Sequence, residues 1–199
     1  MKRVTVAVLM LAYVIAAGQA LRAGQAVDGQ PRYTGEMNLV RPTDYRQWTF
    51  ISSGLGMTYK EPSAAPEPAQ AGPPTFGNVF VTPSSYRSFL ETGKWPDRTV
   101  FVLEFRTSDS DASINKAGRF QSDLLSVEAE VKDARFPDGW AFFNFGPAAS
   151  LQDSAAPLPV SRGCVECHTA HTAVERTFVQ FYPTLMDVAR RKGTVKPGF

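Results

Sequence analysis

Alternation of apolar and polar residues marks the middle of the chain and predicts β-strands there. From Leu125 to Lys132 every second residue is apolar and the residues between them are polar or charged, which is the pattern of a half-buried strand. The stretch Thr99 to Arg106 is rich in β-branched and aromatic residues and is also predicted to be a strand. One of its faces is fully apolar and consists of Phe101, Leu103 and Phe105.

Two shorter apolar stretches, Asn78 to Val81 and Trp140 to Phe145, complete the predicted sheet. The turn sequence Phe136 to Gly139 contains Pro-Asp-Gly and comes directly before the second of them, so it predicts a hairpin with the strand that ends at Lys132. The predicted strands mostly follow one another along the chain. The pattern therefore indicates a small antiparallel sheet of about four or five strands.

Three stretches carry helix patterns. Pro83 to Thr92 and Pro183 to Lys192 both begin with a proline and are followed by a glycine, which are common signals at the two ends of a helix. Arg41 to Ser52 is also predicted to be helical, because three apolar side chains recur there at helical spacing: Tyr45, Trp48 and Ile51. Helices flanking an antiparallel sheet in a single domain give an α+β fold.

The first 26 residues are predicted to be a secretory signal peptide. Lys2 and Arg3 precede an apolar stretch from Val4 to Ala17, and small residues at two later positions predict cleavage after residue 20 or residue 26. A transmembrane helix is the alternative, but spanning a bilayer takes about 20 apolar residues. We therefore expect a periplasmic protein that is not held in the membrane after processing. Its one domain would cover 27–199, with a Pro- and Ala-rich loop at 61–74.

Composition and charge narrow the possible partners. The chain has 199 residues, of which 43% are hydrophobic, and this is enough for the core of one domain. Its net charge of +2 would fall to zero on cleavage after Ala20, so there is no electrostatic reason to expect nucleic acid as a partner. Both cysteines of the chain lie in one short motif.

That motif, Cys164-Val165-Glu166-Cys167-His168, carries the clearest chemistry in the sequence. Its spacing is that of haem c attachment, in which two thiols bond to the vinyl groups and the adjacent imidazole becomes the proximal iron ligand. A disulfide, a redox pair and half of a zinc site are the alternatives. Zinc would need two more ligands and the chain offers only His171, while a redox CxxC normally lies near the start of a βαβ unit. We predict one haem c, bound through Cys164 and Cys167, with His168 on the iron.

Several other short motifs, together with this one, resemble the cytochrome P-460 family of periplasmic c-type haem proteins. They are Tyr45-Arg46-Gln47-Trp48, Asn78-Val79-Phe80-Val81 with Pro83 and Tyr86, Thr92-Gly93, Glu128-Ala129, Val131-Lys132-Asp133, Arg135-Phe136, Trp140-Ala141-Phe142 and Phe178-Val179-Gln180-Phe181-Tyr182-Pro183. The resemblance covers the chain from about Asp44 onward. It implies a small antiparallel sheet flanked by helices, usually dimeric, that holds one haem with a proximal histidine and an open distal face.

The resemblance also bears on the distal side of the haem. Family members that oxidise hydroxylamine carry a lysine cross-linked to the haem ring, whereas cytochrome c′-β members lack that bond and bind small gases such as nitric oxide in an apolar pocket. Matching Thr92-Gly93 and Glu104 to the family pattern without gaps places Leu103 at the position of the lysine. The resemblance therefore implies the c′-β type, with an apolar distal wall formed by Leu103, Phe101 and Phe105.

These assignments have simpler alternatives. The three wall residues are equally consistent with ordinary core packing, since an apolar face of a strand usually packs in a core. The lysines nearest in sequence, Lys94 and Lys116, are predicted to be solvated surface residues rather than haem cross-links.

We expect five-coordinate haem iron that binds or converts nitric oxide or a related small nitrogen species. A diffusible electron carrier is one alternative; it would use a sixth ligand, with Met57 and Met186 as the usable methionines, although Met186 is more simply a core residue. The other alternative is oxidation of hydroxylamine, which requires a distal proton acceptor. The sequence does not place a carboxylate on the distal face, so no catalytic residue is assigned. The expected partners are the small ligand, a redox partner protein and a second copy of the chain.

Overall fold

Two antiparallel sheets organise the computed structural model, which describes residues 29–58, 72–160 and 163–199. Its strands are β1 (Tyr33–Thr34), β2 (Asn38–Val40), β3 (Thr49–Leu55), β4 (Phe76–Val81), β5 (Val100–Asp109), β6 (Phe120–Lys132), β7 (Trp140–Pro147) and β8 (Ser154–Ala155). The larger sheet contains β3 to β7, and each strand pairs with its neighbour in sequence. The smaller sheet has the order β1-β2-β8. The predicted strands and the hairpin between β6 and β7 are confirmed.

The helices of the described region are α1 (Pro83–Thr92), α2 (Cys164–Ala170) and α3 (Pro183–Lys192). Short 3₁₀ helices lie at Tyr45–Gln47, Ala148–Ser150 and Val179–Phe181. Helices α1 and α3 have the predicted bounds, and each ends at a glycine in the left-handed conformation. At Gly93 a Cβ atom would lie 2.7 Å from the Cβ of Lys192, so a glycine is needed for the ends of α1 and α3 to approach. The α+β fold is therefore confirmed.

Each face of the large sheet is buried by different elements. One face forms a core with Leu39 of β2 and Ala155 of β8, so the small sheet covers it. The opposite face packs against Phe89 of α1 and Leu185 of α3. Because side chains alternate along a strand, neighbouring residues of β5 contribute to different cores: Val102 belongs to the first and Phe101 to the second.

Trp95 joins the helical side of the molecule to the segment that follows α2. Its side chain is 2% exposed, and its ring lies 4.1 Å from Phe89 and 4.7 Å from Phe101, measured between centroids. Its indole N–H donates to Oγ1 of Thr177 at 2.9 Å. This buried hydrogen bond fixes the segment after α2 against the sheet.

The predicted helix over Arg41 to Ser52 is wrong. Only a single 3₁₀ turn forms at Tyr45–Gln47, and β3 begins at Thr49. Tyr45 and Trp48 are buried in the first core, whereas Ile51 packs against the second core. The apolar residues therefore serve opposite faces of the sheet, and main-chain pairing with β4 replaces helical hydrogen bonds.

Some predictions fall outside the described residues. These are the signal peptide at 1–26 and most of the loop at 61–74. Over the ranges that are described, the helices are too short or too polar to cross a membrane.

Candidate functional site

The Cys-x-x-Cys-His motif forms α2, a helix of seven residues. Cys164 and Cys167 are both half-buried, and at three residues apart their side chains lie on neighbouring positions of the helix surface. The helix follows Gly163, whose carbonyl accepts a hydrogen bond from the N–H of Cys167 at 2.9 Å. Burial raises the pKa of the Cys167 thiol, with a smaller contribution from the negative charge of Glu166.

His168 is oriented by a main-chain hydrogen bond. Its Nδ1 lies 2.7 Å from the carbonyl oxygen of Arg176, and this contact assigns the ring proton to Nδ1. The ring is held between aromatic side chains, with centroids 4.5 Å from Phe142 and 4.7 Å from Phe178. The lone pair of Nε2 is then available to a metal, since a ligating histidine usually donates its other ring N–H in this way.

The segment between His168 and Arg176 is itself fixed by hydrogen bonds. The hydroxyl of Thr172 donates to the carbonyl oxygen of His168, and the carbonyl oxygen of Glu175 lies 3.1 Å from the same hydroxyl. The side chain of Gln180 accepts from the N–H of Ala173 at 2.9 Å and donates to the carbonyl of His171 at 2.6 Å. The carbonyl that receives the His168 proton is therefore part of an ordered loop.

Glu130 of β6 lies close to the same ring nitrogen of His168. Its Oε1 is 3.4 Å from Nδ1 of His168, which is too long for a strong hydrogen bond but short enough for an ion pair with a charged ring. Burial raises the pKa of Glu130, and the nearby imidazole partly opposes that shift. Burial lowers the pKa of His168, but Glu130 and the Arg176 carbonyl stabilise the charged ring more strongly, so the net shift is upward.

The sheet places the three predicted wall residues on the face that His168 contacts. In the β5–β6 register, Phe101 lies opposite Glu130 and Leu103 lies opposite Glu128, so all four side chains point to one face. Phe101 is 4% exposed and packs on Trp95, which makes it a core residue. Leu103 and Phe105 are only half-buried. Of the three predicted wall residues, Phe101 is therefore part of the core, whereas Leu103 and Phe105 still present apolar surface.

A carboxylate that the sequence interpretation did not place also lies on this face. Glu128 is half-buried beside Leu103, and its Oε1 accepts a hydrogen bond from Nδ2 of Asn144 at 2.9 Å. Burial raises its pKa, and His168 partly opposes the shift. The alternation in β6 already put Glu128 and Glu130 on one face. The sequence alone did not reveal the register that brings that face to His168.

The comparison with protein families agrees with this geometry. A family model for cytochrome P460 matches residues 42–179, which is more than half of the chain and includes β3 to β7, the motif and Arg176. The chain belongs to the cytochrome P460 family. No curated protein matches it.

Membership of the cytochrome P460 family implies haem c, and the residues present fit that group. Two half-buried thiols stand on one short helix, and an imidazole with its Nδ1 proton already donated follows directly. These are the donors that a covalently attached haem requires. Cys164, Cys167 and His168 would hold it.

The other candidate ligands and cross-linking residues of the protein differ in their exposure. Met186 is 5% exposed within the second core, and Met57 is 60% exposed next to Gly54. The side chain of His171 is exposed at the C-terminal end of α2. Lys94 and Lys116 are both exposed, as predicted for surface lysines.

Proposed function

We propose that the protein is a periplasmic mono-haem cytochrome c whose five-coordinate iron binds or converts nitric oxide or a related small nitrogen species. The observation that carries this proposal is the hydrogen bond from Nδ1 of His168 to the Arg176 carbonyl at 2.7 Å. It leaves a single ring nitrogen, Nε2, to bind the iron from one side. Haem bound in this way supplies an iron that coordinates diatomic gases and exchanges one electron.

The apolar surface beside His168 supports a neutral ligand. Val79, Leu103 and Phe105 share the face of the sheet that carries Glu130, and each is half-buried. Their side chains offer water no hydrogen bond. A neutral diatomic gas gives up few hydrogen bonds with water when it enters such surroundings, so its transfer costs little free energy. Water or a charged ligand would lose its hydrogen bonds there.

The positions of the methionines argue against the electron-carrier alternative. A carrier of that type fills the sixth position of the iron, typically with methionine. Met186 is enclosed by other side chains of the second core, and Met57 follows the end of β3 with a side chain that is 60% exposed. Neither environment is typical of an exchange-ready axial ligand, and this supports the proposal of a five-coordinate iron.

Glu128 favours hydroxylamine oxidation as the second candidate function. That reaction releases protons and needs an acceptor close to the bound substrate. Glu128 stands beside Leu103, Asn144 donates to one of its oxygens, and burial moves its pKa upward, toward the range of an effective general base. Leu103 has no amine, so this activity would proceed without a lysine cross-link.

Location and partners follow from the same proposal. A c-type haem is attached outside the cytoplasm in bacteria, and the N-terminal sequence pattern is that of an export signal.

We propose a homodimer in which the edge strand β3 is covered by the second copy, because Phe50 and Leu55 on it are 52% and 46% exposed. A redox protein would exchange electrons with the haem.

Optical spectra of the purified protein test the proposed function. Ferric and ferrous spectra, recorded with and without nitric oxide, should show high-spin iron that becomes nitrosylated in the ferrous state. A low-spin ferrous spectrum without added ligand would instead identify an electron carrier. Steady turnover of hydroxylamine with an electron acceptor, lost in Glu128→Gln, would identify the second candidate.

A further inference from the structure

Two buried polar atoms near His168 have no hydrogen-bond partner among the described residues. They are Oε1 of Glu130 and Nη1 of Arg176, one an acceptor and the other a donor. The Glu130 side chain is 13% exposed and that of Arg176 is 18% exposed. Buried polar atoms are normally paired, so an unpaired acceptor and an unpaired donor in one cluster call for a physical explanation.

The surrounding charges do not neutralise either group. The closest carboxylate contact of Arg176 is Asp138, at 3.9 Å from Nη2, and half of the Asp138 side chain is exposed, so this pair is weak. Glu175 is paired with Lys132 at 2.7 Å. Burial, and after it the charge of Glu130, raises the pKa of Tyr182, so that its phenol stays neutral. Glu130 and Arg176 are left as the opposed charges next to the imidazole.

Both residues act on the same ring. Oε1 of Glu130 lies 3.4 Å from Nδ1 of His168. The carbonyl oxygen of Arg176 accepts the hydrogen bond from Nδ1, and the guanidinium group of Arg176 interacts with the charge of Glu130. Ferric haem carries one more positive charge than ferrous haem. A buried negative charge near the ligand therefore favours the ferric state, and a buried positive charge favours the ferrous state.

We propose that Glu130 and Arg176 are positioning residues that act through His168 and set the reduction potential of the haem in opposite directions. The inference rests on the proposed function, in which His168 binds the iron. Glu130 lowers the potential because its carboxylate increases the electron donation of the imidazole. Arg176 raises it, since its guanidinium group always carries a positive charge. Burial keeps solvent and salt from screening either effect.

The test is a spectroelectrochemical titration of the haem-loaded full chain and its variants at one pH. Glu130→Gln should raise the reduction potential and Arg176→Gln should lower it. Arg176→Lys retains the charge and should stay close to the unmodified protein. Glu91→Gln is the matched control, because Glu91 is an exposed carboxylate on α1, outside the haem motif, and its charge is screened. The double substitution should return the potential toward its original value.

Several outcomes would overturn the inference. If Glu130→Gln and Arg176→Gln shift the potential in the same direction, the two residues only pack the pocket. If neither shifts it, their charges do not reach the iron. Should Glu130→Gln fail to hold haem, the comparison of Arg176→Gln with Arg176→Lys still decides. Failure of the proposed function looks different, because the unmodified protein would then lack covalent haem or show six-coordinate iron.

Discussion

The carbonyl oxygen of Arg176 lies 2.7 Å from Nδ1 of His168, eight residues earlier in the chain. A main-chain acceptor cannot be removed by changing a side chain, so the orientation of this imidazole is a property of the folded loop rather than of one neighbouring residue. The loop is in turn anchored by the hydroxyl of Thr172 and by the indole of Trp95 through Thr177.

Replacement of His168 should separate haem attachment from iron ligation. In His168→Met, we expect the thioether bonds to Cys164 and Cys167 to form in the fraction that matures, because the thiols are unchanged, while the ferric and ferrous spectra change. Mass spectrometry under denaturing conditions and absorbance spectra measure the two properties. His171→Gln is the control, since this side chain is exposed and should alter neither. An unchanged spectrum in His168→Met would show that another residue binds the iron.

Phe101 and Leu103 should differ in their contribution to stability. Phe101 is 4% exposed and packs on Trp95, so Phe101→Ala should lower the free energy of unfolding by about 3 kcal/mol through lost burial and a residual cavity. Leu103 is only half-buried, and Leu103→Ala should cost clearly less. Urea unfolding monitored by circular dichroism gives both values. Equal costs would mean that both residues belong to the core.

A polar group at Leu103 should weaken the binding of a neutral gas. Leu103→Asn has nearly the same shape but adds a hydrogen-bond donor, which stabilises water in the pocket. We expect slower nitric oxide association in stopped-flow measurements and a ferric spectrum with more bound water. Leu125→Asn is the control, because Leu125 is 37% exposed and separate from this face of the sheet. Unchanged association in Leu103→Asn would place the ligand elsewhere.

Stability should fall on acidification because of Glu104. Its side chain is 3% exposed, and burial alone would raise its pKa, but hydrogen bonds from Arg106, Tyr45 and Arg46 lower it to about 2 from an ordinary value of 4.5. A carboxyl with a lowered pKa in the folded state stabilises the fold above its unfolded value. This contribution is lost as the pH falls from 4.5 through about 2.

Urea unfolding at a series of pH values measures this effect. At neutral pH, Glu104→Gln should lower the free energy of unfolding by about 3 kcal/mol, because it removes the buried anion that pairs with Arg46 and Arg106. The variant should then show a weaker dependence on acid pH than the unmodified protein. Asp153→Asn is the control, since Asp153 is fully exposed and its pair with Arg41 spans 3.4 Å. A parallel decline in both proteins would assign the acid sensitivity to other carboxyl groups.

Local sequence patterns were sufficient to predict those strands and helices whose residues follow a single periodicity or carry clear end signals. Period two identified β6, and proline and glycine at the two ends identified α1 and α3, because these signals act within a few residues. The segment from Arg41 to Ser52 was interpreted wrongly because Tyr45, Trp48 and Ile51 are buried for different reasons. Two of them fill one core and the third contacts the opposite face, which depends on contacts that lie far away in sequence.

The chemistry of the motif was readable from its spacing, whereas its surroundings were not. Nothing in the sequence shows that the Arg176 carbonyl receives the His168 proton, because a main-chain group carries no residue signature. Glu128 and Glu130 were identified as members of one strand face, but their positions beside Leu103 and His168 follow from pairing across β5 and β6. Such pairing is fixed by long-range packing rather than by local propensity.

The order of the large sheet follows the order of the chain, and α2 comes after its last strand. When a polypeptide becomes available from its N-terminus, each strand of this meander can join the preceding one as it arrives, since every closure spans a short distance in sequence. The large sheet would then be assembled before Cys164 and Cys167 become available. Attachment of the haem would thereby be a late step, on a nearly complete fold.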